Sequence, residues 1–242
     1  MSQKLVNRVA LITGANRGIG RALAKAFAKE GAECILAGRN QQELDLLSAQ
    51  ITAEGAQAKT LLIDLSSDNS IQEACTQLKS MVDRVDVFIA NAAYLGARLP
   101  IATYPIDTFR QTFQVNVFAN LLLLQGLDDL LKKSSAAKVI MMSALVATQA
   151  KIGTGSYAVS KAALESLARI YMIEHKDTNI TVNTVSPGAT RTLMRAAAVP
   201  SEDPMSIKAP EAITDLFVEL SQASCAKQGE WIDADVWLKN KS

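Results

Sequence analysis

The chain has 242 residues, with 25 Lys plus Arg against 24 Asp plus Glu and a formal net charge of +1. Apolar residues make up 49% and charged residues 20%, which excludes a disordered composition and supplies a real core. Near-neutrality leaves no electrostatic footprint for nucleic acid or an anionic membrane surface, so neither is expected as a partner.

In chain order, residues 1–16 carry one short apolar run and then turn glycine-rich, unlike a secretory signal. Val9 to Thr13 reads as a buried strand, followed by a turn and a helix from about Gly18 to Glu30. A second strand covers 34–37 and a polar-faced helix 41–54. A third strand is expected at 60–64, then a helix at 70–83 with Ile71, Ala74, Cys75, Leu78 and Val82 at helical spacing. Strands at 85–90 and 138–143 flank a long helix over 106–132. A helix at 157–174, a strand at 180–185 and a short strand at 231–234 complete the pattern.

Strands without polar alternation are buried on both faces, and helical crossovers imply parallel pairing. The expected fold is therefore α/β, a doubly wound parallel sheet of the Rossmann type, three layers deep with about seven strands. Residues 1–242 read as a single domain without linker or repeat. One stretch breaks the rhythm: 189–210, with Pro200, Pro204 and Pro210, is too long for an ordinary connection. The most apolar internal stretch, Leu121 to Leu124, falls far short of the roughly 20 residues a membrane span needs. Cys34, Cys75 and Cys225 lie far apart without CxxC spacing. That usage points to a reducing, cytoplasmic setting and no thiolate metal site.

Gly14, Asn16, Arg17, Gly18, Ile19 and Gly20 form a turn between the first strand and first helix. Glycines there permit tight backbone angles and let N–H groups approach a pyrophosphate at a helix N-terminus. The alternative is a plain glycine turn, which the strand-to-helix context disfavours. Tyr157 and Lys161 are four apart on one helical face. A tyrosine of ordinary pKa about 10 is a poor acid or base near neutrality. An ammonium roughly 5 Å away favours its phenolate by about 3 kcal/mol at an effective dielectric near 20.

The spacing Gly-x3-Gly-x-Gly, Asp64 after the third strand, Asn91-Ala92 after the fourth, Asn116 in the long helix, Tyr157-x3-Lys161 and Pro187-Gly188 after the sixth strand together resemble the short-chain dehydrogenase/reductase family. The resemblance covers nearly the whole chain. It implies hydride transfer between a nicotinamide cofactor and a small-molecule carbonyl or alcohol, with Tyr157 as acid/base. By the same resemblance Asp64 and Leu65 flank the adenine and Asn91 and Ala92 line the ribose. Pro187, Gly188, Thr190 and Thr192 would meet the nicotinamide end. The chain departs from the family's Asn-Asn-Ala-Gly after the fourth strand, reading Ala90-Asn91-Ala92-Ala93.

The second strand ends Ala37-Gly38-Arg39, with an arginine where NAD enzymes place an acid for the ribose hydroxyls. Arg39 and Arg17 offer forked, permanent cations suited to a 2′-phosphate, so NADP is the expected cofactor.

The family's Asn holds a water joining the Lys to solvent, a role that falls to Asn116. The family's serine donates to the substrate oxygen, but aligned back from Tyr157 that column falls on Ala144, one residue after Ser143. A one-residue offset in extended chain reverses the face. Either the loop absorbs a residue and Ser143 serves, or the donor is missing; Ser143 is assigned here as the fourth catalytic residue. His175 is the lone histidine, which excludes a Ser-His-Asp triad or multi-histidine metal site; it reads as a helix C-terminal cation. Segment 189–210 is expected to cover the substrate. Arg191 and Arg195 suit an anionic substrate or are simply solvated. Apolar excess on the two long helices points to a homodimer or homotetramer. The competing reading is an NADP-binding sensor or scaffold with little turnover.

Overall fold

The computed structural model describes residues 3–241. Seven parallel strands form one sheet in the order β3-β2-β1-β4-β5-β6-β7. They are β1 (Val9–Thr13), β2 (Glu33–Gly38), β3 (Gln57–Leu62), β4 (Val87–Ala90), β5 (Ala137–Met142), β6 (Ile180–Ser186) and β7 (Trp231–Asp233). The doubly wound α/β expectation is met.

Alternation along each strand feeds two cores. Leu11, Ile35, Phe88, Val139 and Val182 face helices α3 (Asp68–Met81), α5 (Ala119–Lys132) and α6 (Gly155–Glu174). Their neighbours Ile12, Leu36, Ile89 and Ile140 face α1 (Gly18–Lys29), α2 (Gln41–Ala53) and α8 (Thr214–Ser221). Each fully buried side chain of the size of Phe27 or Phe88 contributes about 1.5–3 kcal/mol. The remaining helices are α4 (Ile106–Phe113), α7 (Leu193–Ala198) and α9 (Ala234–Lys241).

β1 pairs with β2 on one side and β4 on the other, Ile12 standing opposite Leu36 and Ile89. The chain reverses its winding direction there, and the crevice at the strands' C-terminal ends is where open α/β sheets take ligands. The glycine turn, Asn91, Ser143 and Gly188 all follow strands at this edge.

Several boundaries differ from the sequence reading. β3 covers 57–62 instead of 60–64, because an edge strand needs one apolar face and tolerates Gln57 and Lys59 on the other. The long helix is α4 and α5 joined through a π-turn at Gln114–Phe118, an irregularity that periodicity does not reveal. Helix α6 opens two residues before Tyr157. Among the described residues no helix is long and apolar enough to cross a membrane.

Candidate active site

The glycine turn is shaped by contacts a side chain would forbid. A Cβ on Gly20 would lie 2.2 Å from the Gly14 carbonyl oxygen, and Gly14 itself adopts φ +66°. Asn91 braces the turn from β4. Its Nδ2 donates to the Thr13 carbonyl at 2.8 Å, and its backbone N–H donates to Thr13 Oγ1 at 3.0 Å. The Ala92 N–H uses the same hydroxyl, at 3.1 Å. Asn91 is thus a structural tie of the turn, whatever it lines.

Arg17 and Arg39 are exposed at this end, and neither side chain makes a hydrogen bond or ion pair among the described residues. Asn16 donates to Glu43 of α2, which brings one carboxylate toward the turn. The backbone N–H and hydroxyl of Ser66 donate to Asp64; with the Arg39 charge nearby they hold its carboxyl below the ordinary range, against the opposing effect of burial. Ile19 packs against the second core, and Leu65 is buried in the first. The glycine-shaped cradle and two uncommitted guanidinium groups fit a phosphorylated dinucleotide.

After β6, Thr190 donates its hydroxyl to the Pro187 carbonyl at 3.1 Å. The Thr192 hydroxyl accepts from the Arg195 N–H at 3.1 Å, capping α7 and leaving its proton to donate elsewhere. A Cβ on Gly188 would meet the Asp235 carboxylate at 2.0 Å, so the C-terminal helix presses directly on this loop. The segment from 189 to 210 is pinned at its base. Thr190 and Lys208 form a parallel bridge, the Arg191 N–H donates to the Lys208 carbonyl at 2.9 Å, and Lys208 Nζ pairs with Asp235. Arg195 makes a two-pronged pair with Glu202, at 2.6 and 2.5 Å. It is therefore committed within the loop, unlike the free anion-binding cation the sequence left open. Asp203 caps a short 3₁₀ turn at Pro204–Ser206, its side chain accepting from the Met205 N–H. A cleft of about 490 Å³ separates this loop from α1.

Tyr157 and Lys161 lie on one face of α6, the ammonium 5.7 Å from the ring centre. Lys161 is 1% exposed and donates to the Met142 carbonyl, at the end of β5, at 2.6 Å. Asn116, within the π-turn, accepts from the Tyr94 N–H at 2.8 Å and donates to the Tyr94 carbonyl and to Ser160 Oγ. Its own carbonyl accepts from Asn120 Nδ2 at 2.9 Å. The amide therefore braces the β4–α4 connection against α6 between Tyr157 and Lys161.

Electrostatics run opposite to the expectation of an acidified phenol. Burial pushes Tyr157 up to about 12. Burial also pulls Lys161 down to about 8, opposed by the charge of Glu165. Desolvation disfavours both charged forms here and outweighs their mutual attraction.

Ser143 is engaged with α6. It is buried, and its hydroxyl donates to Glu165. A hydroxyl has one proton, so in this arrangement none is left for a substrate oxygen. Ala144 continues the extended backbone (φ −157°, ψ 148°) and so points to the opposite face. Glu165, one turn beyond Lys161, and Trp231, whose Nε1 donates to Glu165 at 2.7 Å, were not singled out from sequence. The i+4 spacing from Lys161 was a usable signal for Glu165; nothing local marked Trp231. Elsewhere His175 is buried, with Nδ1 on the Tyr171 carbonyl and Nε2 on Asp128.

A family model described as short chain dehydrogenase matches residues 8–203. The uncharacterized oxidoreductase YciK of Escherichia coli (strain K12) is 37% identical over 239 residues, covering 96% of this chain and 94% of that protein. A short chain dehydrogenase from Shigella flexneri 2a str. 301, solved with NADP, superposes with a TM-score of 0.93 at 34% identity, over 97% of this chain and 100% of that one. One from Escherichia coli CFT073, solved with NADPH, gives 0.92 at 35% identity, over 97% and 99%. With its glycine turn and Tyr157–Lys161 helix at the same edge of the sheet, the chain belongs to the short-chain dehydrogenase family of oxidoreductases.

Proposed function

We propose that the chain is an NADP(H)-dependent oxidoreductase that interconverts a carbonyl and an alcohol, with Tyr157 as acid/base. The observation that carries the reading is the Tyr157–Lys161 pair at the C-terminal edge of the sheet, where the glycine turn presents Arg17 and Arg39 with no hydrogen bond or ion pair among the described residues. The NADP and NADPH complexes of the two similar structures support the choice of nucleotide.

When bound, the nicotinamide nucleotide supplies the two-electron reducing equivalent. In this proposal Gly14, Gly18 and Gly20 admit the pyrophosphate, and Arg17 and Arg39 hold the 2′-phosphate. Asp64 and Leu65 border the adenine, Asn91 and Ala92 the ribose, and Pro187, Gly188, Thr190 and Thr192 the nicotinamide. Tyr157, protonated at neutral pH, donates its phenolic proton to the oxygen that becomes the alcohol. Lys161 stabilises the phenolate left behind, and Asn116 fixes the chain on both sides of the pair. The substrate oxygen meets one hydroxyl, that of Tyr157, while Ser143 stays on Glu165. Exposed Leu193 and Met205 give the covering loop an apolar surface.

The pairing of Ser143 with Glu165 also favours a second reading, an NADP-binding protein with little turnover, because loss of one oxyanion donor costs about 100- to 1000-fold. A panel of aldehydes, ketones and quinones with NADPH, followed at 340 nm, separates the two. Oxidation that disappears in Tyr157→Phe supports the enzyme. Nucleotide binding without oxidation, or equal rates in the variant, supports the second reading.

A further inference from the structure

We propose that Glu165 is a positioning residue, the buried counter-charge that keeps Lys161 an ammonium during proton transfer at Tyr157. The proposal deepens the reading above and rests on it for the catalytic step.

Tyr157, Lys161 and Glu165 stand at i, i+4 and i+8 of α6 and so share one face. Glu165 is 5% exposed, and a carboxylate that deep is retained only with donors and a partner charge. Its donors come from two strands' ends: the Ser143 hydroxyl after β5 and the Trp231 indole N–H of β7, both on Oε1. The cation one turn back on the same face is Lys161, whose acceptor among the described residues is the neutral Met142 carbonyl, with the charge of Glu165 raising its proton affinity. Among the described residues the contacts of the ammonium are uncharged: the Met142 carbonyl and the Tyr157 ring. Glu165 is the anion that acts on it, and Tyr157 is a neutral phenol below about 12. In a poorly solvated site such an attraction survives beyond hydrogen-bond distance. The arrangement also accounts for Ser143: its proton orients the carboxylate one turn from the lysine.

A purely structural Glu165 would tie α6 to β7 through Trp231 and leave Lys161 alone. Glu165→Gln separates the roles, because the amide oxygen still accepts from Ser143 and Trp231 but carries no charge. The protein is labelled with ¹³Cε-lysine, and the Lys161 resonance is assigned by its loss in Lys161→Met. Its titration midpoint is then read in wild type, Glu165→Gln and Glu165→Asp, with NADPH-dependent carbonyl reduction measured in the same buffers. The expected result is a midpoint near 8 in wild type, lower by about one unit in Glu165→Gln, and restored toward wild type in Glu165→Asp. The alkaline limb of kcat should move with it, while KM for NADPH stays within about twofold. Should Glu165→Gln fail to fold, Glu165→Ala, which leaves room for water, carries the same expectation. An unmoved midpoint in the uncharged variants, or an equal fall in Glu165→Asp, overturns the proposal. A shift confined to the uncharged variants supports it even where no carbonyl is reduced, so the counter-charge and the reaction stand or fall separately.

Discussion

Lys161 holds its ammonium 5.7 Å from the centre of the Tyr157 ring, anchored on the Met142 carbonyl, and burial moves the two groups' proton affinities in opposite directions. Tyr157, pushed up to about 12, keeps its proton through the neutral range; Lys161, pulled down to about 8, begins to lose its charge just above it. NADPH-dependent reduction should therefore be flat from about pH 6 to 7.5 and then fall, approaching tenfold per unit. The linkage has the opposite sign for stability. Between about 8 and 10.5 the unfolded chain retains a lysine proton that the folded chain has released, so this group's contribution to stability rises with pH. Initial rates and denaturant titrations across pH 6 to 10 check both; a flat rate profile to pH 10 would contradict the first.

Arg17 and Arg39 should set nucleotide preference. A charge-assisted bond to phosphate is worth about 1.5–3 kcal/mol, so Arg39→Ala should weaken NADPH binding about 10- to 150-fold, and Arg17→Ala by a comparable factor. NADH binding should change little. Calorimetric titration of both nucleotides against wild type and variants measures it, and equal losses for the two would count against a 2′-phosphate contact.

Asp128 accepts from Tyr171 and His175 and pairs with Lys132, joining α5 to α6. Burial opposes its charge, but hydrogen bonds from Lys132, Tyr171 and His175 win and hold its carboxyl below the usual range. A depressed carboxylate stabilises the fold above its unfolded pKa, about 3.9, and the contribution is lost as pH falls through the folded value. Asp128→Asn should cost about 2 kcal/mol at pH 7 and show less further loss on acidification than wild type. Urea unfolding at pH 7 and pH 3 tests this.

Phe118, Leu121, Val159, Ile170 and Ile173 are exposed on the π-turn, α5 and α6. Exposed apolar side chains on these helices suit an interface, and we propose that the helices meet their copies in a homodimer or homotetramer. Sedimentation at micromolar concentration should give a species of at least twice 25.9 kDa, and Phe118→Glu with Ile170→Glu should return it to the monomer. A wild-type monomer would refute the assembly.

The sheet was legible because its two central strands, β1 and β4, are almost wholly apolar, and a run such as Val9 to Thr13 has few other uses. The glycine turn and the Tyr157–Lys161 spacing were legible because local geometry dictates them. What escaped depended on residues distant in sequence. Trp231 reaches Glu165 across 66 positions, and Asn91 braces a turn 78 positions earlier. β3 was misplaced because an edge strand carries half the apolar signal of an inner one. The direction of the Ser143 hydroxyl turned on a single residue of register, which spacing alone leaves open.

The bridge between Thr190 and Lys208, clamped by Asp235 from the last helix, makes residues 191–207 a closed excursion with both feet fixed. Changes beyond Thr192 within it need not propagate into the sheet. If this insert covers the substrate, as we propose, exchanging it changes which molecules are admitted, as one changes the bit of a drill and keeps the motor, and chimaeras cut at these two anchors test that.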